Sequence, residues 1–188
     1  MIFVALDTET TGIDPAEHRF VEIYASKHHM NGDLIAKFYK RIDPQRTIQA
    51  EAQRVHGISY ADVAGCPTFA DVAGELVAFL DEADFIVAHN GDEFDIPFIN
   101  SELKRVGKPK IEKPTVDTMK QGRWATPNGK VPNLGELCFA CGVDYDPAKA
   151  HAADYDVNVM ADCFVRGVFW GFYELPATDK ELKEALAA

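Results

Sequence analysis

Two carboxylates stand one residue apart near the start of the 188-residue chain, in Asp7-Thr8-Glu9-Thr10-Thr11-Gly12, directly after the apolar run Ile2 to Leu6. A short apolar run bounded by a Gly turn indicates a buried strand. Because side chains alternate along a strand, Asp7 and Glu9 should share one face. Adjacent carboxylates repel unless a cation lies between them, and hard oxygen ligands suit Mg²⁺ or Mn²⁺. A lone pair of this kind is equally compatible with a solvated strand end.

Two further acids occupy matching positions. Asp95 begins a predicted helix shortly after a second apolar strand, Phe85 to His89. Asp156 lies in the first turn of the last long helix and follows His151 in the preceding loop. Either acid could simply cap its helix, so each is weak evidence alone.

The elements that must position these acids form one α/β domain. Strands are predicted at 3–8, 19–27 and 34–42, and Asn31-Gly32 is typical of a hairpin turn, so these three strands should form an antiparallel meander. Helical and strand patterns then alternate, with helices at 50–56 (ending at Gly57), 68–81, about 95–106, from 133 or 134, and 153–173, and strands at 85–89 and 115–117. We expect a domain over 1–175 and a tail over 176–188, in which 179–188 forms a short polar helix or a frayed end.

Bulk composition limits the function classes. Hydrophobic content of 47% and charged content of 26% are typical of globular proteins. No stretch has the length of a transmembrane helix, and the start lacks a secretory signal, so we expect a cytoplasmic protein without a membrane partner. The net charge of −11 opposes a broad phosphate-binding surface. The basic segment Lys104 to Lys130 could form a local phosphate-facing rim, although a solvated loop region is slightly favoured.

Two other residue groups have structural interpretations. Cys138 and Cys141 lie in a helical apolar pattern and indicate buried thiols, not a zinc site or a structural disulfide. The aromatic residues between Phe164 and Tyr173 in the last helix are expected to pack in the core.

The acidic motifs taken together resemble a known family. Asp7 to Gly12, His89-Asn90 with Phe94-Asp95, and His151-x4-Asp156 are similar to the three motifs of the DEDDh (DnaQ-like) 3′→5′ exonucleases, a class that includes the proofreading epsilon subunit of bacterial DNA polymerase III. The resemblance extends through Val55 to Ile58, Val116 to Thr118 and Leu134 to Leu137, from Phe3 to about Phe164. The second motif has one residue more than in the epsilon subunit, between Asn90 and Phe94. His151 indicates this subclass, since the sister class has a tyrosine where this chain has Ala152.

The resemblance implies a ribonuclease H-like fold and metal-dependent hydrolysis of DNA 3′ ends, single-stranded or frayed, to nucleoside 5′-monophosphates. By resemblance, Asp7, Glu9 and Asp156 would ligate two Mg²⁺ (or Mn²⁺) ions. Asp7 would bridge them, and Asp95 would hold the second ion through water. His151 would be the general base, a role that suits the ordinary titration range of imidazole.

Substrate contacts and partners follow from the same resemblance. The terminal nucleotide would meet Thr10, Thr11 and Gly12, and apolar walls would come from His56, Ile58 and Phe94. His56 could equally cap the turn at Gly57. The partners would be single-stranded or frayed 3′ ends, with a DNA polymerase as a candidate protein partner. An exoribonuclease of the same class and a catalytically idle module that binds nucleic-acid ends or a polymerase are the alternatives.

Overall fold

A mixed five-stranded sheet forms the centre of the computed structural model, which describes residues 1–177. The strands are β1 (Ile2–Thr10), β2 (Phe20–His29), β3 (Leu34–Arg41), β4 (Phe85–Ala88) and β5 (Thr115–Asp117), in the order β3-β2-β1-β4-β5. The first three are antiparallel neighbours, whereas β4 pairs parallel to both β1 and β5. The predicted meander followed by parallel strands is confirmed. The tail predicted over 179–188 lies outside the described residues.

Six α-helices flank the sheet in the described part of the chain: α1 (Ala50–His56), α2 (Tyr60–Val63), α3 (Phe69–Asp81), α4 (Asp95–Arg105), α5 (Leu134–Cys141) and α6 (Ala153–Phe169). The short α2 was not predicted. Gly57 closes α1 with a positive φ of 73°, as its sequence position indicated. Over residues 1–177, no helix has the length and apolar character needed to cross a membrane.

Alternation along β1 divides the core into two layers. Val4 and Leu6 pack with the hydrophobic faces of α3 and α4, whereas Phe3 and Ala5 pack with α6. Asp7 and Glu9 continue the second set, so they lie on the α6 face of the sheet.

Strand β1 is longer than predicted and extends past the end of its parallel neighbour, β4. β4 pairs only with Phe3 to Ala5 of β1, and it ends at Ala88. Beyond that point β1 continues to Thr10 beside β2 alone, with a register irregularity between Glu9 and Thr10. The segment that carries the two acids is therefore open on the β4 side.

The last helix is shorter than predicted. α6 ends at Phe169, and Gly171 adopts a φ of 77° at the reversal that follows. Tyr173 then returns to α6, where a Cβ on Gly167 would lie only 2.3 Å from the tyrosine ring. Core packing consequently holds for Phe164 and Tyr173, whereas Phe169 is 87% exposed and Trp170 and Phe172 are partly exposed.

The prediction of buried thiols on α5 is confirmed. Cys138 and Cys141 are buried free thiols that pack with Cys163 of α6, and the Sγ atoms of Cys138 and Cys163 are 3.6 Å apart.

The basic segment 104–130 forms no continuous free rim. Lys120 pairs with Asp92 and Glu93, and Lys130 pairs with Glu136. Lys113 donates to the Asp81 and Ala83 carbonyls. These contacts favour the solvated-loop interpretation.

Two phenylalanines in the C-terminal part of α6 allow a matched stability test. Phe164 is fully buried against Phe3 at 4.9 Å and Phe85 at 5.9 Å between ring centroids. Phe164→Ala should lower the free energy of unfolding by about 3–5 kcal/mol, and Phe169→Ala, on the exposed end, by less than about 0.5 kcal/mol. Urea unfolding of both variants measures the difference. Equal losses would contradict the described end of α6.

Candidate active site

Four carboxylates from three elements meet at the open end of β1. Asp7 and Glu9 belong to β1, Asp95 is the first residue of α4, and Asp156 lies in the first turn of α6. Asp95 is only 2% exposed, and its Oδ1 accepts a hydrogen bond of 2.6 Å from the Thr8 hydroxyl. Because β4 has already ended, α4 begins at the level where β1 presents its acids.

Mutual repulsion at this cluster is visible in the pKa values. Burial raises the pKa of Asp7 well above its usual range, and the charges of Asp95, Glu9 and Asp156 raise it further. Burial, followed by the charges of Glu22, Asp156 and Asp95, raises the pKa of Glu9 to about 8. Burial also raises the pKa of Asp95 to about 7, although the Thr8 hydrogen bond opposes the shift. The cluster therefore carries more negative charge than the surrounding protein neutralises.

Asp156 is oriented by the backbone of His151. The His151 N–H donates to Asp156 Oδ2 over 2.9 Å, whereas the buried Asp156 Oδ1 has no hydrogen-bond partner. His151 has a φ of 65°, in the left-handed region that non-Gly residues rarely adopt, and its side chain is exposed. This conformation places an exposed imidazole next to a carboxylate with a free oxygen.

The loop between β4 and α4 accommodates the additional residue of the second motif. Asn90 has a φ of 70°, and a Cβ on Gly91 would lie 2.3 Å from that of Ala88, so only glycine fits there. The Asp117 carboxylate, at the end of β5, accepts from the backbone N–H groups of Asn90 at 3.1 Å and Asp92 at 3.3 Å. These bonds fix the loop that delivers Asp95.

The Thr10 to Gly12 segment is bound largely to the protein itself. The Thr10 hydroxyl donates to the Gly12 carbonyl at 2.7 Å, and the Thr11 hydroxyl contacts His18 Nδ1 at 2.9 Å. A Cβ on Gly12 would lie 2.4 Å from the His18 ring. Both threonine side chains are buried, so their expected contacts with a terminal nucleotide would have to come mainly from backbone groups.

The three residues expected to form apolar walls differ in their surroundings. His56 Nδ1 accepts a hydrogen bond from the Ile58 N–H at 3.0 Å, and His56 Nε2 lies 3.2 Å from the Thr10 carbonyl. Both ring nitrogens therefore have protein partners, and the half-buried ring lines a groove. Ile58 is 4% exposed and packs inward against Val21 and Val63. Phe94 stays partly exposed, and its ring lies 4.9 Å from the Phe98 ring, centroid to centroid, in a tilted arrangement. The structure therefore leaves Phe94 and the His56 ring available and buries Ile58.

A cavity of about 540 Å³ opens beside the carboxylates. Its lining includes Asp7, His89, Tyr145, His151 and Asp156. Two of the four clustered acids thus share one concave space with an exposed imidazole, and this arrangement is suited to hydrolysis of a phosphate ester.

Comparison with known proteins identifies the family. The exonuclease family model matches residues 4–164. The chain belongs to the exonuclease family. It is similar to the epsilon subunit of DNA polymerase III from Rickettsia conorii, with 36% identity over 168 residues that cover 86% of this chain and 71% of the relative. It is also similar to the PolC-type DNA polymerase III of Streptococcus suis, with 34% identity over 83% of this chain and 10% of the polymerase.

Solved structures support the ribonuclease H-like fold of this exonuclease. Exonuclease I aligns with a TM-score of 0.76 and 17% identity over 98% of this chain. A zinc-bound complex of E. coli exonuclease I with single-stranded DNA aligns with a TM-score of 0.77, 18% identity and 89% coverage. This chain spans 43% and 40% of those two chains.

The carboxylates of this exonuclease fit divalent cations. The donor set consists of hard oxygens, the pKa values of Glu9 and Asp95 are raised in part by their acidic neighbours, and Asp156 Oδ1 is an unpaired buried acceptor. Among the described residues, no three His, Cys, Asp or Glu side chains already converge on a point that could hold an ion. Binding would therefore require rotation of these carboxylate side chains toward one another.

Sequence reasoning missed the residues that support the acids. Thr8 lies on the opposite face of β1 from Asp7, and its bond to Asp95 joins elements distant in the chain. Asp117 was predicted within a short strand and within the resembling segment Val116 to Thr118, without a role; it is buried and organises the loop before α4. The sequence signal available for Asp117 was an acid at the end of a predicted strand, whereas no local sequence pattern distinguished Thr8.

Repulsion among the carboxylates predicts a pH dependence of stability. In the folded exonuclease the pKa values of Glu9 and Asp95 are about 8 and about 7, against ordinary values of 4.5 and 3.8. Groups with raised pKa values stabilise the fold while protonated, and this stabilisation is lost as pH rises through the folded pKa. Without divalent cations, the free energy of unfolding should fall as pH rises from about 4.5 to about 8.

Thermal unfolding in EDTA across this pH window tests the prediction, with Glu9→Gln as the comparison. The variant should show a flatter profile, and Mg²⁺ should raise Tm more near pH 8 than near pH 5. Stability that rises through the window in the wild type would show that the carboxylates are not coupled as described.

Proposed function

We propose that this exonuclease hydrolyses DNA from the 3′ end, preferably single-stranded or frayed, and releases nucleoside 5′-monophosphates. Asp7, Glu9, Asp95 and Asp156 would hold two Mg²⁺ or Mn²⁺ ions, and His151 would act as general base. The observation that carries the proposal is the clustering of four carboxylates from β1, α4 and α6, two of which, Asp7 and Asp156, line one cavity with the exposed His151.

The side chains can be assigned a balanced reaction. His151 accepts a proton from water, the water oxygen forms a bond to the terminal phosphorus, and the phosphorus bond to the preceding 3′ oxygen breaks. That oxygen takes a proton from solvent and His151 returns its proton to solvent, so the products are a nucleoside 5′-monophosphate and a strand shortened by one nucleotide with a free 3′ hydroxyl. Bound divalent cations would supply stabilisation of the charge that develops on the attacking and leaving oxygens.

The geometry of His151 supports its role. Its side chain is exposed, whereas its backbone is fixed to Asp156 by the 2.9 Å bond. A base near the carboxylates but outside their hydrogen-bond network is free to take a proton from water. Imidazole suits proton transfer near neutral pH, and such a base typically contributes about 10²–10⁴-fold to rate.

The names of the relatives support DNA as the polymer and replication as the context. Both similar proteins are DNA polymerase III components. Association with a DNA polymerase and a cytoplasmic location are part of the proposal.

The domain assignment, 1–175 for the exonuclease and 176–188 for a tail, is also part of the proposal, and the matched range 4–164 supports it.

Directional digestion tests the proposal. With Mg²⁺ or Mn²⁺, a 5′-labelled single strand should yield a descending ladder, and a 3′-labelled strand should release labelled mononucleotide first. Matched DNA and RNA strands, single and duplex, are digested in parallel. Degradation of RNA alone would contradict the DNA assignment, and absence of any cleavage with either metal would contradict the enzyme assignment.

Substitutions separate the roles of the base and the ligands. His151→Ala should lower kcat by about 10²–10⁴-fold while Mn²⁺ binding is retained, because the carboxylates are intact. Asp156→Asn should weaken both Mn²⁺ binding and turnover. Asp162→Asn, an exposed acid on the same helix, is the control and should retain both. Full activity of His151→Ala would refute the general-base role.

A further inference from the structure

The outer face of β3 is aligned with the carboxylates across the sheet. In the strand register, Tyr39 pairs with Tyr24, which pairs with Asp7. One row further on, Arg41 pairs with Glu22, which pairs with Glu9. Directly paired residues project from the same face, and two strand spacings amount to about 10 Å. Tyr39 and Arg41 therefore stand beside the candidate active site, on the face that carries its acids.

This part of the sheet is open. α6 packs over β1 and β2, whereas Tyr39 is 49% exposed and Lys37 is exposed on β3. A groove of about 460 Å³ lies over it. The groove is lined by Lys37, Tyr39 and Arg41 of β3 and also by His56 and His151. It is thus continuous with the proposed general base.

The groove combines aromatic faces with cations. The Tyr24 and Tyr39 rings are 6.1 Å apart, and Lys37 Nζ lies 5.9 Å from the centre of the Tyr24 ring. Aromatic side chains next to Lys and Arg are the typical components of single-strand nucleic-acid sites, since bases stack on the rings and phosphates meet the cations.

The acids of the groove are Glu22 and Asp154. Glu22 forms an ion pair with Arg41 and accepts a hydrogen bond from the Tyr39 hydroxyl at 2.9 Å, so its charge is partly offset. Asp154 is exposed at the rim on α6. On a chain with a net charge of −11, this groove presents two cations and a solvent-exposed ring beside the candidate active site.

We propose that the groove binds the nucleotides immediately 5′ of the one being removed, with an unpaired base stacked on Tyr39 and backbone phosphates at Lys37 and Arg41. The inference rests on the proposed function and deepens it. Only an unpaired base exposes a face to Tyr39, so the groove selects single-stranded over duplex ends.

Two substrates distinguish the groove from the chemistry. The p-nitrophenyl ester of thymidine 5′-monophosphate has no upstream strand, whereas a short single-stranded oligonucleotide has one. Tyr39→Ala should raise KM for the oligonucleotide at least about fivefold, the lower end expected from loss of one stacked base, with kcat little changed. Because both Tyr39→Ala and Tyr39→Phe lose the hydroxyl bond to Glu22, hydrolysis of the ester should be the same in these two variants. Tyr39→Phe keeps the ring and should retain a KM near that of the wild type.

The contribution of the Lys37 charge is tested with the same single-stranded oligonucleotide. Lys37→Ala should reduce the dependence of log KM on log salt concentration by about 0.7, the value for one phosphate contact with a single strand. Lys40→Ala is the matched control, because Lys40 points to the opposite face and pairs with Glu75 at 2.9 Å. Arg41 is left intact because its loss would free the Glu22 charge beside Glu9. Thermal unfolding checks that each variant is folded.

The outcomes separate the two proposals. If the wild type hydrolyses both substrates and neither Tyr39→Ala nor Lys37→Ala changes oligonucleotide KM, the groove assignment is wrong while the proposed function stands. An equal loss on both substrates would assign Tyr39 to the support of the active site instead and overturn the groove. If the wild type hydrolyses neither substrate, the proposed function and the groove fall together.

Discussion

Repulsion among buried carboxylates is the constraint on which the functional end of this exonuclease depends. Three elements bring Asp7, Glu9, Asp95 and Asp156 to one place. Burial raises the pKa values of all four, and the charges of the other acids of the cluster raise those of Asp7 and Glu9 further. A cluster of this kind costs folding free energy without a cation. Because β1 extends past the end of β4, there is space for this cluster. The first turns of α4 and α6 supply Asp95 and Asp156.

The neighbouring groups limit this cost without removing the free acceptors. Thr8 binds one oxygen of Asp95, the His151 backbone binds one oxygen of Asp156, and Arg41 with Tyr39 binds Glu22. Each contact orients a carboxylate or neutralises an acid at the margin. The centre of the cluster remains negative, which suits an enzyme that would hold cations there and bind its polymer along the rim.

The sequence predicts those parts of the fold that local chemistry determines. The apolar run before Asp7, the Asn31-Gly32 turn and the glycine after α1 each indicate their element directly. Residues whose surroundings come from distant parts of the chain were missed or misread. Ile58 faces inward because α2 lies beneath it, Thr8 is defined by a helix far along the chain, and α6 ends early because Tyr173 returns to the small surface of Gly167. No local sequence pattern predicts these contacts.

Proton release on cation binding measures directly whether the clustered carboxylates are protonated before a cation binds. If burial and neighbouring acids keep Glu9 and Asp95 partly protonated near pH 7, then ligation must displace their protons. Calorimetric titration with Mn²⁺ in buffers of different ionisation enthalpy should report two ions and at least about one proton released per chain, and Glu9→Gln should release fewer. Binding without proton release, or no binding of any divalent cation, would contradict the account.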